Sequence, residues 1–388
     1  LKQKKTVVVG MSGGVDSAVA AKILKDEGFN VIGLFMNNWE EKDERGECTS
    51  TQDWKDVQTI CQKIDIPCYS VNFAKEYFDG VFKHFLSEYK AGRTPNPDVL
   101  CNREIKFNEF AKYAKKLGGD YIATGHYARL EEDTENLGAA ICCPHNNIIL
   151  KKALDDNKCQ TYFLNQVKTE QFKNVLFPLG YLKKPDVREI AKSLKLSVAE
   201  KKDSTGICFI GERNFRDFLK TYLPAQPGKI IDTNGREVGQ HEGLMYYTLG
   251  QRKGLGIGGI KGEENNRWFV VKKDLENNTL IVSNGEGEEL LSTSFKTNIL
   301  NVIGDLQDAK GSILCKLGVV DAAGVPNHIP LSVKTRYREK DIPALVKINQ
   351  DLSAEVNLLT PARAVTQGQY AVFYDKERCL GGGVIIEN

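Results

Sequence analysis

The sequence predicts a doubly wound α/β fold on a parallel sheet, followed by a small connector domain and a C-terminal β-barrel. Three observations predict it. Apolar strand-like runs alternate with helices of ten or more residues over the N-terminal part of the chain, which is the mark of βαβ units. A glycine-rich turn, Gly10-Met-Ser-Gly-Gly-Val-Asp-Ser17, links the first strand to the first helix. After about Phe215 glycine and proline rise, and short alternating runs replace the helices.

The elements follow in order. Residues 6–10, an apolar run rich in valine, read as a short buried strand, and residues 16–27 carry the apolar spacing of a helix. Residues 31–36 read as the next strand, 53–64 as a helix and 68–72 as a third strand. Helices are expected at 75–89 and 102–117, and a strand at 121–124; helical segments are expected to continue through 158–196. Ligands of such a fold sit at the carboxyl ends of the strands. Beyond residue 290, strands are expected at 312–317, 331–337, 344–348, 354–359, 370–374 and 384–387, enough for a small barrel or sandwich. The expected domains are 1–214 (α/β), 215–287 (connector) and 288–388 (β).

Composition sets outer limits. With 388 residues, 41% hydrophobic and 27% charged, the chain can bury ordinary cores and is not of a disordered type. No stretch reaches the ~18 uninterrupted apolar residues of a membrane span, and Leu1 to Lys5 run into the first strand without an apolar signal region, so a cytoplasmic protein is expected. A formal net charge of +2 leaves nucleic-acid binding to local basic patches. The ten cysteines have no regular spacing and no C-x-x-C pair, against a disulfide framework or a zinc ribbon.

The glycine turn has the chemistry of a phosphate cradle. Glycines permit positive φ and close approach of the backbone, and the helix that follows offers its positive end to an anion. Walker A spacing and G-x-G-x-x-G are both absent. Two further motifs carry cysteines: Thr94-Pro-Asn-Pro-Asp-Val-Leu-Cys-Asn102 and Lys202-Asp-Ser-Thr-Gly-Ile-Cys-Phe-Ile-Gly211. The prolines keep residues 94–97 extended, so a helix starting near Asn102 would put Cys101 at its N-cap, where thiol pKa falls. Asp98 is a nearby acid or base. Lys201 and Lys202 would favour a thiolate at Cys208. Cys48, Cys61, Cys68, Cys142, Cys143, Cys159, Cys315 and Cys379 read as packing or surface residues.

The glycine turn resembles the S-G-G-x-D-S loop of ATP-pyrophosphatase enzymes, in which ATP adenylates a carbonyl oxygen and a nucleophile displaces AMP. Together with residues 34–39, 92–107, 123–129, 201–213, 243–256, 369–374 and 379–383, the motifs resemble those of the bacterial tRNA-specific 2-thiouridylases, the MnmA family, over nearly the whole chain. The resemblance implies an ATP site of Gly10, Met11, Ser12, Gly13, Gly14, Val15, Asp16 and Ser17, with Met36 and Gly125 on the adenosine side and Mg²⁺ accompanying the nucleotide. It implies that Asn96, Pro97 and Asp98 face the target uracil and that Asp98 is the acid/base. Cys208 would accept persulfide sulfur from a donor, a relay protein or a cysteine desulfurase. Cys101 would release that sulfur through a Cys101–Cys208 disulfide. His126, Lys158, Cys159, Gln160, Arg336, Tyr337 and Gln369 match positions that contact tRNA. Where the family usually has Lys-Asp-Gln, this chain has Lys158-Cys-Gln160, which removes a carboxylate from that contact.

Arg336-Tyr337-Arg338, expected on a β-domain strand, suits phosphate contact and base stacking. Other basic clusters are Arg213/Arg216/Lys220, Arg252-Lys253 and Lys183-Lys184. The implied reaction is 2-thiolation of the wobble uridine of Lys, Glu and Gln tRNAs. Another adenylating synthetase of the same loop family, or a non-catalytic RNA- or nucleotide-binding module, is the alternative. An iron–sulfur cluster on Cys101, Cys208 and a third ligand stays open.

Overall fold

The structure is a computed structural model that describes residues 4–39, 49–132, 148–203, 215–258, 267–285, 287–304 and 328–387. Its first strands are β1 (Thr6–Met11), β2 (Asn30–Asn37), β3 (Cys68–Asn72) and β4 (Tyr121–Ala123), then a hairpin of β5 (Ala128–Glu132) and β6 (Ile148–Lys152), and a short β7 (Val175–Leu176). Val7, Val8 and Val9 are wholly buried, as β-branched residues of a strand covered on both faces should be. Five of these strands form a parallel sheet in the order β3-β2-β1-β4-β7. The chain moves outward from β1 to β3 and then crosses to β4, so the switch point lies between β1 and β4. The doubly wound α/β class is observed, and its ligand crevice falls outside the ends of those two strands.

A second sheet has β8 (Gly228–Asp232), β9 (Glu237–His241), β10 (Trp268–Asp274) and β11 (Thr279–Asn284) in the order β10-β11-β8-β9. The last strands are β12 (Leu291–Thr297), β13 (Asn301–Val302), β14 (His328–Lys334), β15 (Ile342–Ile348), β16 (Ala354–Arg363), β17 (Tyr370–Asp375) and β18 (Arg378–Glu387). Six of them close a ring, β12-β16-β15-β14-β17-β18, because β18 also pairs with β12. Along β15 the buried side chains are Ile342, Ala344, Val346 and Ile348, the period of two that fills a small barrel. Among the described residues no helix is long and apolar enough to cross a membrane.

Four features differ from the sequence reading. The hairpin β5–β6 belongs to the first part of the chain, yet β6 pairs with β18, so the N-terminal region lends two strands to the barrel sheet. Alternation identifies a strand but not its partner. The expected helical stretch 158–196 is broken into short turns and β7 before the helix Lys184–Ser193; Pro178 and Gly180 interrupt it. The strand expected at 331–337 ends at Lys334, and Arg336 and Tyr337 sit in the turn that follows. The helix expected from Asn102 starts earlier, at Pro97. The expected strand 312–317 lies outside the described residues.

Candidate active site

The turn after β1 is shaped by backbone chemistry. Gly13 has φ +70°, and a Cβ there would meet the Asp53 carbonyl at 2.8 Å. Gly14 is the N-cap of the helix Val15–Asp26 and supplies no side-chain cap, which leaves the first-turn N–H groups to a ligand. Ser17 braces the loop from inside: its Oγ accepts from the Ser12 N–H at 3.2 Å and donates to the Gly14 carbonyl at 3.2 Å. Gly10, Met11, Gly13, Val15 and Ser17 are buried, Gly14 and Asp16 are half-buried, and Ser12 is exposed. Gly10 lies against Met36; a Cβ on Gly10 would stand 3.5 Å from its Cε. Gly125, just past β4, presses on the loop, for a Cβ there would be 2.9 Å from both the Asp16 carbonyl carbon and the Ser17 nitrogen. The structure therefore brings Met36 and Gly125 to the loop from the neighbouring strands.

A charged network ties this loop to the rest of the domain. Lys184, buried at the head of the helix Lys184–Ser193, binds both Asp16 oxygens at 2.7 and 2.8 Å and Asp203 at 2.9 Å. The Tyr127 hydroxyl donates to Asp16 at 2.9 Å. Asp203 also pairs with Lys158 and, at 3.2 Å, with Arg188. On the other side Lys201 reaches the Gly13 carbonyl at 3.1 Å, Asp53 at 3.0 Å and Asp56 at 2.7 Å. Burial works against the Lys201 charge, but Asp56 and Asp53 hold its pKa above the ordinary value. One sequence reading is thereby corrected: Lys184 is not part of a surface RNA cluster but is buried against Asp16. Lys201 is engaged by the loop and two carboxylates. The pairing was not legible in the sequence because no local pattern marks an ion pair between positions 168 residues apart.

The network makes an acid-stability prediction. Burial raises the Asp203 pKa, but the hydrogen bonds from Lys158 and Lys184 and their charges outweigh it and hold the carboxyl down at about 2, against an ordinary 3.8. A lowered carboxylate pKa contributes stability that is present above the ordinary value and is lost as pH falls from there through about 2. The contribution is on the order of 1 kcal/mol after solvent screening. Urea midpoints at pH 5 and pH 3 should differ less in Asp203→Asn than in the parent; an equal difference in both would remove Asp203 as a contributor.

The Cys101 loop is built differently from expectation. Asn96 is the N-cap, its side chain accepting from the Asp98 N–H at 3.2 Å, and Pro97 fills the first helical position, where its missing N–H is harmless. Cys101 thus stands one turn inside the helix, and the Pro-rich stretch starts the helix instead of preceding it. From Cys101 to Glu109 the helix takes π geometry, a form that gathers at functional sites. Cys101 is fully buried in the core cluster that includes Met36 and Trp39. Its neighbour Asn102 donates to the Phe163 carbonyl at 2.9 Å. Among the described residues, Asn102 Oδ1 and Thr94 Oγ1 are buried without hydrogen-bond partners, as are the side-chain oxygens of Asn37 and Asn38 at the end of β2. Cys208 lies outside the described residues, as do Cys48, Cys142, Cys143, Cys315 and Arg213.

The positions matched to tRNA contacts fall into two settings. Arg336 is exposed and donates to the Arg363 and Ala364 carbonyls. Tyr337 is half-buried, its ring centroid 4.5 Å from Phe163 and 5.3 Å from the Arg338 guanidinium. Through Phe163 and Asn102 this aromatic pair adjoins Cys101. Gln160 clasps Tyr127, its N–H donating to the Tyr127 carbonyl at 2.8 Å while its Oε1 accepts the Tyr127 N–H at 3.0 Å. Lys158 is held by Asp203. Two positions are more interior than a surface contact. His126 is buried, bonded through Nδ1 to Thr124 Oγ1 at 2.7 Å and flanked by Phe107 and Phe177; burial, with Lys106 adding, keeps its pKa well below 6.5. Cys159 points inward, 3.2 Å from Thr161 Oγ1, so the departure from Lys-Asp-Gln lies at a packed position. Cys379 is wholly buried, and burial pushes its thiol up to about 12. Cys61 is likewise pushed up to about 12, by burial first and by its neighbour Cys68. Among the described residues no group of three or more His, Cys, Asp or Glu is placed to hold a metal ion.

Comparison with known proteins bears on all three regions. The family model described as tRNA methyl transferase HUP domain matches residues 5–212. The tRNA methyl transferase PRC-barrel domain matches 216–284, and the Aminomethyltransferase beta-barrel domain matches 320–385. The tRNA-specific 2-thiouridylase MnmA of Streptococcus thermophilus (strain CNRZ 1066) is 51% identical over 383 residues, covering 98% of this chain and 95% of that protein. That of Streptococcus mutans serotype c (strain ATCC 700610 / UA159) is also 51% identical, with the same coverage. Among solved structures, the U34-tRNA thiolase NcsA from Methanococcus maripaludis is similar at 19% identity and a TM-score of 0.31, covering 57% of this chain and 66% of that one. With a family model over more than half its length and half-identical relatives across nearly all of it, the chain belongs to the tRNA-specific 2-thiouridylase (MnmA) family.

Proposed function

We propose that this protein is an ATP-dependent tRNA-uridine 2-sulfurtransferase that makes 2-thiouridine at the wobble position of Lys, Glu and Gln tRNAs in the cytoplasm. The observation that carries the reading is the 51% identity, across 98% of the chain, to proteins named for that activity. The site's chemistry agrees with it. The bare helix start after β1 offers N–H donors to the phosphates of ATP, and the glycines let them approach. Mg²⁺ would accompany the nucleotide and would screen the charge of the pyrophosphate.

The uridine must leave the anticodon stack to reach residues 96–98. Its C2 oxygen attacks the α-phosphate of ATP, pyrophosphate departs, and a poor leaving group becomes a good one. A persulfide on Cys208, loaded by a donor protein, attacks C2 through its outer sulfur, and AMP leaves. The Cys101 thiolate then attacks the Cys208 sulfur. The S–S bond to the transferred sulfur breaks, its electron pair completes the 2-thiouridine, and a Cys101–Cys208 disulfide remains for an external thiol to reduce. Asp98, half-buried beside Cys101 in sequence, moves the thiol proton. Arg336, Tyr337, Lys158, Gln160 and Gln369 offer the charge and the stacking surface for tRNA.

The test is direct. The protein is incubated with ATP, Mg²⁺, a persulfide donor and unmodified tRNA-Lys, and 2-thiouridine is read by retardation in a mercury gel. A shifted band that requires ATP and disappears in Cys208→Ser supports the reading. AMP release without a shifted band sinks it in favour of a different nucleophile, and neither product favours a binding module.

A further inference from the structure

The stretch that leads into the Cys101 helix is gripped by both other domains. From the middle domain, Lys273 Nζ on β10 donates to the Gly92 carbonyl at 3.0 Å. Gly92 has φ +73°, the left-handed region that favours glycine, and Leu275 Cδ2 stands 2.5 Å from where its Cβ would be, so a larger residue would push that side chain aside. From the barrel, the Gln367 carbonyl accepts the Thr94 N–H at 3.0 Å, and Gln369 Nε2 donates to the Thr94 carbonyl at 2.7 Å. Gly368 between them has φ +90°, and its missing Cβ would lie 2.9 Å from the Thr94 nitrogen. Both main-chain groups of Thr94 are thus held by a segment far along the chain, just before the N-cap Asn96.

Lys273 is the unusual member. Among the described residues no carboxylate pairs with it, and burial alone pulls its pKa down to about 8. Lys273 is half-buried, and the hydrogen bond its ammonium makes is the one to the Gly92 carbonyl, so its contact in the fold is with the stretch that leads into the Cys101 helix.

We propose that Lys273 is a positioning residue for sulfur transfer: with Gln369 it clamps residues 92–94, so that the helix start bearing Asp98 and Cys101 is aligned by the two domains that flank it. This rests on the reading of Cys101 as the thiol that releases sulfur. The catalytic loop is then completed only when all three domains are docked.

The test uses the full chain with Lys273→Met and Lys273→Arg. In Lys273→Met, single-turnover thiolation at saturating ATP and tRNA should fall roughly 10- to 100-fold, the size expected of a slight misplacement of reacting groups. KM for ATP and for tRNA should stay within about twofold, and the melting temperature should not drop, because an unpaired ammonium has been removed. Lys273→Arg, which keeps a donor, should recover part of the rate. Unchanged turnover in Lys273→Met, or a loss matched by lower melting temperature and weaker tRNA binding, would overturn the inference. Cys101→Ala run alongside separates the two failures. If it is inactive while Lys273→Met matches the parent, only the positioning role fails; if Cys101→Ala is active, the underlying reading fails.

Discussion

In the absence of a reductant, Cys101→Ala should abolish release of 2-thiouridine tRNA, with a loss of about 10³-fold or more, the scale seen when a nucleophile is removed. The fold should scarcely notice. The change removes one buried sulfur atom from a helix whose start is already secured by Asn96 and Pro97, a stability cost of about 1 kcal/mol by analogy with a buried methylene. ATP-dependent release of AMP should survive for a single turnover, because in the proposed mechanism adenylation and attack by the Cys208 persulfide come before Cys101 acts. The tRNA should then stay attached to the enzyme through a Cys208–S–S–C2 linkage that a reductant releases. Gel analysis of the tRNA–protein adduct, with and without dithiothreitol, checks this. Parent-level thiolation by Cys101→Ala would reduce Cys101 to a packing residue.

Gly125→Ala should have the second largest effect, on ATP. Its new Cβ would lie 2.9 Å from the main chain of both Asp16 and Ser17. Main-chain atoms have no rotamer to escape into, so the loop itself must shift. Ser17 braces that loop through Ser12 and Gly14, and Asp16 is fixed by Lys184 and Tyr127. The N–H groups proposed to face the phosphates are therefore displaced as a unit. Affinity for a non-hydrolysable ATP analogue should fall roughly 10- to 100-fold, the loss of about one or two charge-assisted hydrogen bonds, while tRNA binding is unchanged. Gly258→Ala is the control, since among the described residues a Cβ there meets nothing within 4 Å. Calorimetric titration settles the matter, and ATP affinity equal in the two variants would refute the steric argument.

Local order made much of the fold legible. The valine run of β1, the glycine turn and the alternation of strands with helices placed the parallel sheet within a residue or two at most ends. The Cys101 helix was misjudged because the extended geometry imposed on a residue before proline is also the geometry of an N-cap. Asn96 uses it to cap and Pro97 to begin the helix. Lys184 was read as part of a basic cluster and Lys201 as positive charge beside Cys208, since a lysine that bonds a distant aspartate looks like any surface lysine. Gln369 matched a tRNA-contact position, and the structure adds a bond to Thr94 across 275 residues.

By itself the sequence determined what is short-range. These features are the secondary-structure periods, the glycine turn after a buried strand, the two cysteine motifs and, through their resemblance, the family. Each depends on residues within a turn or two of one another, where backbone sterics and side-chain spacing suffice. The tertiary structure decided which distant groups meet. It put Lys184 on Asp16, lent the β5–β6 hairpin to the barrel, and seated Lys273 and Gln369 on the loop before Cys101. Such contacts form only when separate hydrophobic surfaces dock, and no spacing along the chain encodes which polar groups that docking brings face to face.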